Sequence, residues 1–288
     1  MDRRRGEARM DDGMAERRTI AVAPNGARKL KADHPAIPLT PAELARTAAE
    51  CREAGASMIH LHVRRPDGTH LLDAEAYRAA TAAIRAEVGE DLVIQITSEA
   101  FGLYGPAEQI AVVRASRPEA VSLALRELVP SEAEEAAFAD LLQWCRTENV
   151  APQIILYSPE EAVRLHSLRS RGLLPWEDIP VLYVLGRYVR GQTSRPSDLL
   201  PFLAADMPRF SHWSVCAFGR HETACVMTAA LLDGHARVGF ENNEMLPDGR
   251  RAASNAELVR ATRDALRAVG MDAGDADMLR RSWARVLA

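Results

Sequence analysis

The chain has 288 residues, of which 47% are hydrophobic and 26% are charged, and its formal net charge is −4 at pH 7. This length suits one large domain or two small ones, and the nearly balanced charge gives no general reason to expect binding to nucleic acid or to an acidic membrane. The arginine-rich N-terminus lacks the apolar segment of a signal peptide and no apolar run is long enough to span a bilayer, so we expect a cytoplasmic protein.

The first 18 residues are polar, charged and aperiodic, and we expect a disordered or loosely docked tail there. From residue 19 onward, short apolar runs with the length of buried strands alternate with longer amphipathic stretches. The predicted strands are 19–23, 58–63, 92–97, 120–124, 153–157, 181–185, 212–217 and 236–240.

Helices are predicted between these strands because several amphipathic stretches begin at a capping residue. Thr40 precedes Pro41, which is the usual order of an N-cap and a first helical residue. Residues 73–87 and 255–269 have apolar positions near helical spacing, and Ser131 and Ser158 are candidate caps for two further helices. The segment from residue 272 is predicted to be a C-terminal helical extension.

Eight strand–helix alternations within about 250 residues favour an α/β fold of the (β/α)8, or TIM, barrel type, as a single catalytic domain over residues 19–288. The competing fold, an open doubly wound sheet, commonly has a glycine-rich turn after its first strand. Pro24-Asn25-Gly26-Ala27 is not such a turn, so the barrel is preferred. In a barrel, catalytic side chains lie at the C-terminal ends of the strands.

The run Ile59-His60-Leu61-His62-Val63 places two histidines at alternate positions of a predicted strand. Residues two apart in a strand point to the same face, so the two imidazoles lie side by side. A charged loop follows at once, which puts the pair where the strand ends. The spacing indicates a divalent-metal site, although two histidines that merely hydrogen-bond to neighbours would give the same pattern.

A catalytic zinc site needs a third protein ligand, and Glu241 is the candidate. It follows the last predicted strand, which neighbours the first strands when a barrel closes. Two histidines and one carboxylate hold zinc or iron. The alternative is that Glu241 is a solvated glutamate at a strand end.

Several motifs, in the same order, resemble the beta-keto acid cleavage enzyme family between about residue 19 and about residue 270. The motifs are Asn25-Gly26-Ala27, Pro38-Leu39-Thr40-Pro41, the segment 55–64 around the two histidines, Val184-Leu185-Gly186, Phe218-Gly219-Arg220-His221 and the segment 234–243.

The resemblance implies a TIM barrel that holds one zinc ion through His60, His62 and Glu241. It also implies a reaction in which a beta-keto acid and acetyl-CoA give acetoacetate and a new acyl-CoA. Arg237 would support an oxyanion or carboxylate, and the hydroxyls of Thr97 and Ser122 would hold substrate oxygens. Members of the family assemble as homo-oligomers, so a tetramer is expected.

The chain departs from the family at the position after the glutamate ligand, where an aspartate usually acts in proton transfer. Here the residue is Asn242, and an amide is not a general base. Glu99 lies in Thr97-Ser98-Glu99-Ala100, which replaces the family's serine-threonine-glycine-glycine turn. We predict that Glu99 is the substitute base; the alternatives are a surface glutamate and a partner for an arginine.

A further departure concerns the substrate tail. Family members that act on an amino-substituted substrate carry an acidic residue near the first strand, where this chain has Arg28. Arg126 and Arg187 are expected on the same rim, and arginine prefers carboxylate partners. We therefore predict an acidic or polar acyl tail, with structural ion pairs as the alternative role of these arginines.

Two other functions are compatible with the residues. A Schiff-base aldolase would use Lys29 or Lys31 as its nucleophile, although both lie in a predicted loop and such a lysine is typically buried. Alternatively, the barrel binds a metal and a keto acid or acyl-CoA without turnover. This hypothesis stays open because Asn242 stands where the family has its proton-transferring aspartate.

Overall fold

The computed structural model describes residues 15–288, so most of the predicted N-terminal tail lies outside the described residues. The first strand, β1, is Glu16–Val22 and begins earlier than predicted. The early start has a tertiary cause: Glu16 to Thr19 pair with a strand at the other end of the chain, Met271–Gly274. Residues 16–18, which the sequence had placed in the tail, therefore belong to a strand.

Eight parallel strands form the central sheet, and each of them matches a predicted strand to within a few residues. The hairpin Val63–Arg64 (β3) and His70–Leu71 (β4) follows the second barrel strand. The barrel strands are β1, β2 (Met58–Leu61), β5 (Val93–Thr97), β6 (Ala120–Ala124), β7 (Ala151–Leu156), β8 (Val181–Leu185), β9 (Trp213–Ala217) and β10 (His235–Val238).

The sheet closes because β10 pairs with β1, with Ile20 opposite Ala236 and Val22 opposite Val238. The predicted α/β class and the TIM barrel are thus confirmed, and the open doubly wound sheet is excluded. All barrel pairings are parallel, so the C-terminal ends of the eight strands meet at one rim.

The helices for which the sequence predicted a cap begin at or next to that cap, except that Ser131 caps a 3₁₀ turn, Glu132–Glu134, which precedes α5. Thr40 caps the first helix in a capping box with Glu43, and Asp73 caps the second. Within residues 15–288, no helix combines the length and the apolarity that crossing a bilayer requires. The α-helices are α1 (Pro41–Ala54), α2 (Ala74–Val88), α3 (Pro106–Ser116), α4 (Leu125–Leu128), α5 (Glu135–Glu148), α6 (Pro159–Ser170), α7 (Glu222–Leu231), α8 (Asn255–Ala268) and α9 (Ala276–Val286).

Alternation along each strand separates two cores. Ile59 and Leu61 of β2 point outward and pack in the main core between the sheet and the helices, as do their counterparts in the other strands. The alternate residues point into the barrel, where Met58 belongs to a small apolar floor and His60 lies one layer above it. The barrel interior is therefore apolar at the bottom and polar higher up.

The C-terminal segment closes the bottom of the barrel. Met271–Gly274 (β11) pairs with β1 outside the barrel, which corrects the expectation of helix from residue 272. Helix α9 then places Leu279 and Trp283 against Met58 and the other floor residues. This packing assigns α9 to the barrel floor; the tetramer stays a prediction.

A buried histidine, His212, and a half-buried one, His235, join this floor to the barrel wall. The rings of His212 and His235 are stacked with 4.3 Å between centroids, and His212 Nδ1 lies 3.0 Å from Ser282 Oγ of α9. Burial, with the nearby charge of Arg18, lowers the pKa of His235 to about 4. Burial, with the neighbouring His235, holds the pKa of His212 well below its ordinary value. Both imidazoles are therefore neutral in the folded protein.

We predict an acid-sensitive floor. Since both pKa values are lowered on folding, the unfolded chain binds more protons below pH 6.5, and stability falls as the pH drops. His212→Phe keeps a ring in the stack and removes one titrating group. Between pH 7 and pH 5, the free energy of unfolding of this variant should fall by about 2 kcal/mol less than that of the parent, as measured by urea denaturation. Equal losses would contradict the prediction.

Candidate active site

The two histidines and Glu241 come together at the C-terminal rim. His60 Nε2 lies 3.3 Å from His62 Nε2. Glu241 Oε2 lies 3.6 Å from His60 Nε2 and 3.3 Å from His62 Nε2. The three side chains form a compact donor cluster in which both imidazoles are buried. The sequence prediction of these three residues as one group is thus matched by the geometry.

A chain of amides orients His60. Gln95 Nε2 donates to Gln153 Oε1 over 3.1 Å, which turns Gln95 Oε1 toward His60 Nδ1 at 2.8 Å. His60 Nδ1 therefore carries the proton and Nε2 presents its lone pair to the cluster. Burial, followed by the charge of Arg237, lowers the pKa of His60 to about 3, which keeps the imidazole neutral.

Arg237 fixes the charge of Glu241. Its Nη2 donates to Glu241 Oε1 over 2.7 Å, and its side chain is almost fully buried. Burial alone would raise the pKa of Glu241, but the guanidinium, together with His62 and His60, outweighs it and holds that pKa well below the ordinary value. The second oxygen, Oε2, is buried and has no hydrogen-bond partner among the described residues. A charged carboxylate oxygen thus faces two imidazole nitrogens.

The donor set fits a divalent cation. Ligand atoms about 2.0–2.1 Å from a tetrahedral zinc ion lie roughly 3.3–3.4 Å from one another, close to the 3.3, 3.3 and 3.6 Å found here. Neutral imidazoles and an ionised carboxylate are the states that metal binding needs. The cluster is therefore a candidate metal site.

The loop after β1 holds this cluster from the side. Asn25 Nδ2 donates to His62 O and Asn25 Oδ1 accepts from His62 N, at 2.9 and 3.2 Å. Gly26 has a φ of +59°, and a Cβ at this position would lie 2.6 Å from Glu241 Cγ. Only glycine allows this backbone to approach the glutamate so closely.

Glu99 lies between the donor cluster and an arginine. Its Oε2 is 3.6 Å from His62 Nδ1, and its Oε1 is 3.6 Å from Arg187 Nη2. The turn is held by Thr97, whose Oγ1 accepts from Glu99 N over 3.1 Å. Glu99 therefore lies beside the donor cluster, as expected for a base, and is at the same time the partner of an arginine, which was the alternative.

A narrow pocket opens above the donor cluster. Its volume is about 20 Å³, so its walls leave room for little more than a water molecule. One side carries the cluster with Thr97, Glu99, Arg187 and Arg237. The opposite side is formed by Ala124, Ile155, Tyr157, Val184 and Phe218. An outer vestibule of about 60 Å³ shares Glu99, Arg187, Phe218 and Glu241 with it, and Arg28 lines this vestibule.

Three predicted residues lie elsewhere. Arg126 is paired with Glu161 over 2.6 Å and stacks on Tyr157, so its side chain is occupied outside the pocket wall. Ser122 is buried one layer deeper, and its Oγ has no partner among residues 15–288. Asn242 is buried behind Arg237, whose Nη2 lies 3.4 Å from Asn242 Oδ1. None of the three is a wall of the pocket.

Both lysines are engaged in surface contacts. Lys29 Nζ donates to Phe240 O over 2.6 Å and lies 3.0 Å from Glu244. Lys31 Nζ lies 2.8 Å from Glu43. Ion-paired ammonium groups lack the desolvated environment that activates a Schiff-base lysine, so this geometry does not favour the aldolase hypothesis.

Gln95 and the apolar wall of the pocket were not among the site residues predicted from the sequence. Gln95 lies two residues before Thr97, so strand alternation alone would have placed its amide on the inward face. Ile155, Val184 and Phe218 carry no such signal, because apolar residues occur on both faces of a buried strand.

A TIM barrel with a two-histidine, one-carboxylate cluster at the C-terminal rim has the architecture of a barrel enzyme. A sequence model of the beta-keto acid cleavage enzyme family matches residues 18–283. The chain belongs to the beta-keto acid cleavage enzyme family, which confirms the resemblance found in the sequence.

Two characterised relatives cover most of the chain. The 3-keto-5-aminohexanoate cleavage enzyme of Fusobacterium nucleatum is 30% identical over 85% of this chain and 90% of its own length. The 3-oxoadipate:acetyl-CoA acetyltransferase of Cupriavidus necator is 25% identical over 83% of this chain and 85% of its own length.

Among solved structures, ObcA in complex with oxaloacetate superposes with a TM-score of 0.66 at 17% identity. The match covers 87% of this chain and 67% of ObcA. At this identity the likeness supports the fold alone.

We predict that Gly26→Ala impairs metal binding by displacing Glu241. Gly172→Ala is the matched control, because Gly172 ends α6 with a positive φ of +76° and has no atom within 4 Å of an added Cβ. Both variants should lose about 1 kcal/mol of stability from backbone strain. Only Gly26→Ala should also bind zinc at least tenfold more weakly, as measured by competition with a chelator. Equal zinc affinities of the two variants would refute the role assigned to Gly26.

Proposed function

We propose that the protein is a zinc-dependent beta-keto acid cleavage enzyme that exchanges acyl groups between a beta-keto acid and acetyl-CoA. The products would be acetoacetate and a new acyl-CoA. The observation that carries the proposal is the donor cluster of His60, His62 and Glu241, with one buried carboxylate oxygen facing two imidazole nitrogens.

These three residues would hold the zinc ion. When bound, zinc supplies Lewis-acid stabilisation of negative charge on the keto and carboxylate oxygens of the substrate. Gln95 keeps His60 in the tautomer that a ligand needs, and Arg237 keeps Glu241 ionised. The chain thus prepares the charge states of its ligands before the ion binds.

Glu99 is proposed as the base that removes the proton from the carbon between the two carbonyl groups. It is a carboxylate on the wall of the pocket, next to the cluster. Before substrate binds, Arg187 is its partner at 3.6 Å. A substrate carboxylate that pairs with Arg187 would release Glu99 for proton transfer and widen the narrow pocket.

The remaining steps follow from the chemistry of acyl exchange. The deprotonated carbon attacks the thioester carbonyl of acetyl-CoA and expels the CoA thiolate. The thiolate then attacks the original keto carbon, and cleavage of the carbon–carbon bond releases the new acyl-CoA. The carbanion left behind takes back the proton held by Glu99 and becomes acetoacetate. Arg237 lines the pocket and its buried Nε is without a partner in the described part of the chain, so this group is free to support a developing oxyanion.

An acidic tail is the proposed substrate feature. The wall opposite the cluster is mainly apolar, while Arg187 lies over Phe218 at the boundary with the vestibule and Arg28 lies beyond it. This order suits a short aliphatic chain that ends in a carboxylate. The compound in the name of the Cupriavidus necator relative, 3-oxoadipate, is a beta-keto acid of this kind.

The metal proposal predicts about one zinc per chain in the purified protein. His60→Ala and Glu241→Ala each remove a ligand and should lose the zinc, as measured by elemental analysis. Gln143→Ala on the exposed side of α5 is the control and should retain it.

The parent should convert beta-keto acids and acetyl-CoA to acetoacetate. The KM should be lower for a beta-keto acid whose tail ends in a carboxylate than for one of equal length whose tail is uncharged.

Two results would contradict this proposal. A parent without metal, or with metal that both ligand variants retain, would exclude the three-residue zinc site. Equal KM values for substrates with an acidic tail and with an uncharged tail would contradict the assignment of an acidic tail without affecting the zinc site.

Glu99→Gln should lower kcat by about 10²–10⁴-fold, the range for loss of a positioned general base, while the zinc content stays that of the parent. The amide retains the size of the side chain and loses its basicity. Asn242→Asp, which restores the family's aspartate, is the comparison. Full activity of Glu99→Gln would exclude Glu99 as the base. If the parent is inactive and Asn242→Asp gains a large cleavage activity, the result would instead favour the non-catalytic barrel.

A further inference from the structure

Glu222 is a fully buried carboxylate that does not line the pocket. It is the first residue of α7 and lies behind the turn that follows β10. Its Oε1 accepts from Gly239 N and its Oε2 accepts from Asn243 Nδ2, each over 3.2 Å. The two donors flank the metal ligand Glu241 on either side along the chain.

The same turn is fixed to its surroundings at further points. Gly219 N donates to Asn242 O over 3.1 Å, and Phe240 N donates to Asn255 Oδ1 over 2.9 Å. Gly239 has a φ of +134°, and a Cβ there would lie 2.4 Å from Ala23 O. The backbone of residues 239–243 is thus clamped between β1, α8 and the start of α7.

Glu222 contributes hydrogen bonds to this clamp more than charge. Burial raises the pKa of its carboxyl to about 8, and the hydrogen bonds from Asn243 and Gly239 oppose that rise. Each of its two oxygens accepts one of these hydrogen bonds. A glutamine in its place offers one oxygen and one NH₂ group, so it can satisfy only one of the two donors.

We propose that Glu222 is a positioning residue that holds Glu241 in the geometry of the metal site. It does not touch the ligand or the pocket; it acts through the turn 239–243. The inference deepens the proposed zinc-dependent function and rests on it.

Glu127 provides a matched comparison on a neighbouring turn. Its Oε2 accepts from Ala100 N over 2.9 Å and from Gln109 Nε2 over 3.2 Å. It therefore supports the turn that carries Glu99 with the same kind of bonds, one from a backbone amide and one from a side-chain amide. Both bonds end on one oxygen, which a glutamine would keep, so Glu127→Ala is the change that perturbs this site turn without perturbing the turn of Glu241.

The test is the zinc affinity of the full-length protein, measured by competition with a chromogenic chelator at pH 7. Glu222→Gln should bind zinc about 10–100-fold more weakly than the parent, the range for residues that support metal ligands from behind. Glu127→Ala should bind zinc as the parent does. Asn243→Ala removes one donor and leaves Glu222 in place, so it should weaken zinc binding in the same direction. The double variant Glu222→Gln/Asn243→Ala should lose zinc affinity by a factor smaller than the product of the two single factors, since both changes break the same contact.

Parental zinc affinity in Glu222→Gln would overturn the inference, even if the variant melts at a lower temperature. If Glu222→Gln does not fold, Asn243→Ala decides: parental affinity there also overturns it. If Glu127→Ala weakens zinc binding to the same extent, the effect reflects general loosening of the rim, and the inference is overturned too. A parent that binds no zinc would instead overturn the proposed function itself.

Discussion

The parallel pairing of β10 with β1 is the constraint on which the candidate site depends. It closes the sheet and brings the turn after β10 beside the end of β2, so that Glu241 reaches His60 and His62. Without closure, these residues would lie at opposite edges of an open sheet. Because all eight strands run in the same direction, closure also gathers Glu99, Arg187 and Arg237 at one rim.

Closure places several charges in a poorly hydrated interior, and the arrangement of partners makes this tolerable. Arg237 and Glu241 neutralise each other, and burial with the charge of Arg237 keeps His60 uncharged. One carboxylate oxygen and two imidazole nitrogens are then left facing a common point. An unpaired buried carboxylate oxygen is costly in the absence of a cation. The same cost becomes binding energy when a cation is present, which favours a metal centre over a purely structural ion pair.

Much of the fold was predictable because strand alternation, helix caps and the order of elements are local properties. Thr40 and Asp73 mark helix starts, and the inward position of His60 and His62 follows from their spacing. The failures have a common cause in long-range pairing. Residues 16–18 became strand because β11 pairs with them, and β11 itself was read as helix. Arg126 was expected on the substrate rim, but Glu161 from the start of α6 occupies it.

The sequence by itself determined the barrel class, the family and the three candidate ligands, since these depend on residue types at short spacing and on motifs in a set order. Only the tertiary structure decided how the charges are partnered. It turned Gln95 toward His60, placed Glu99 between His62 and Arg187, and put Glu222 behind the turn of Glu241. These contacts join residues far apart in the chain, and no local pattern encodes the distance between two side chains that meet only after the barrel closes.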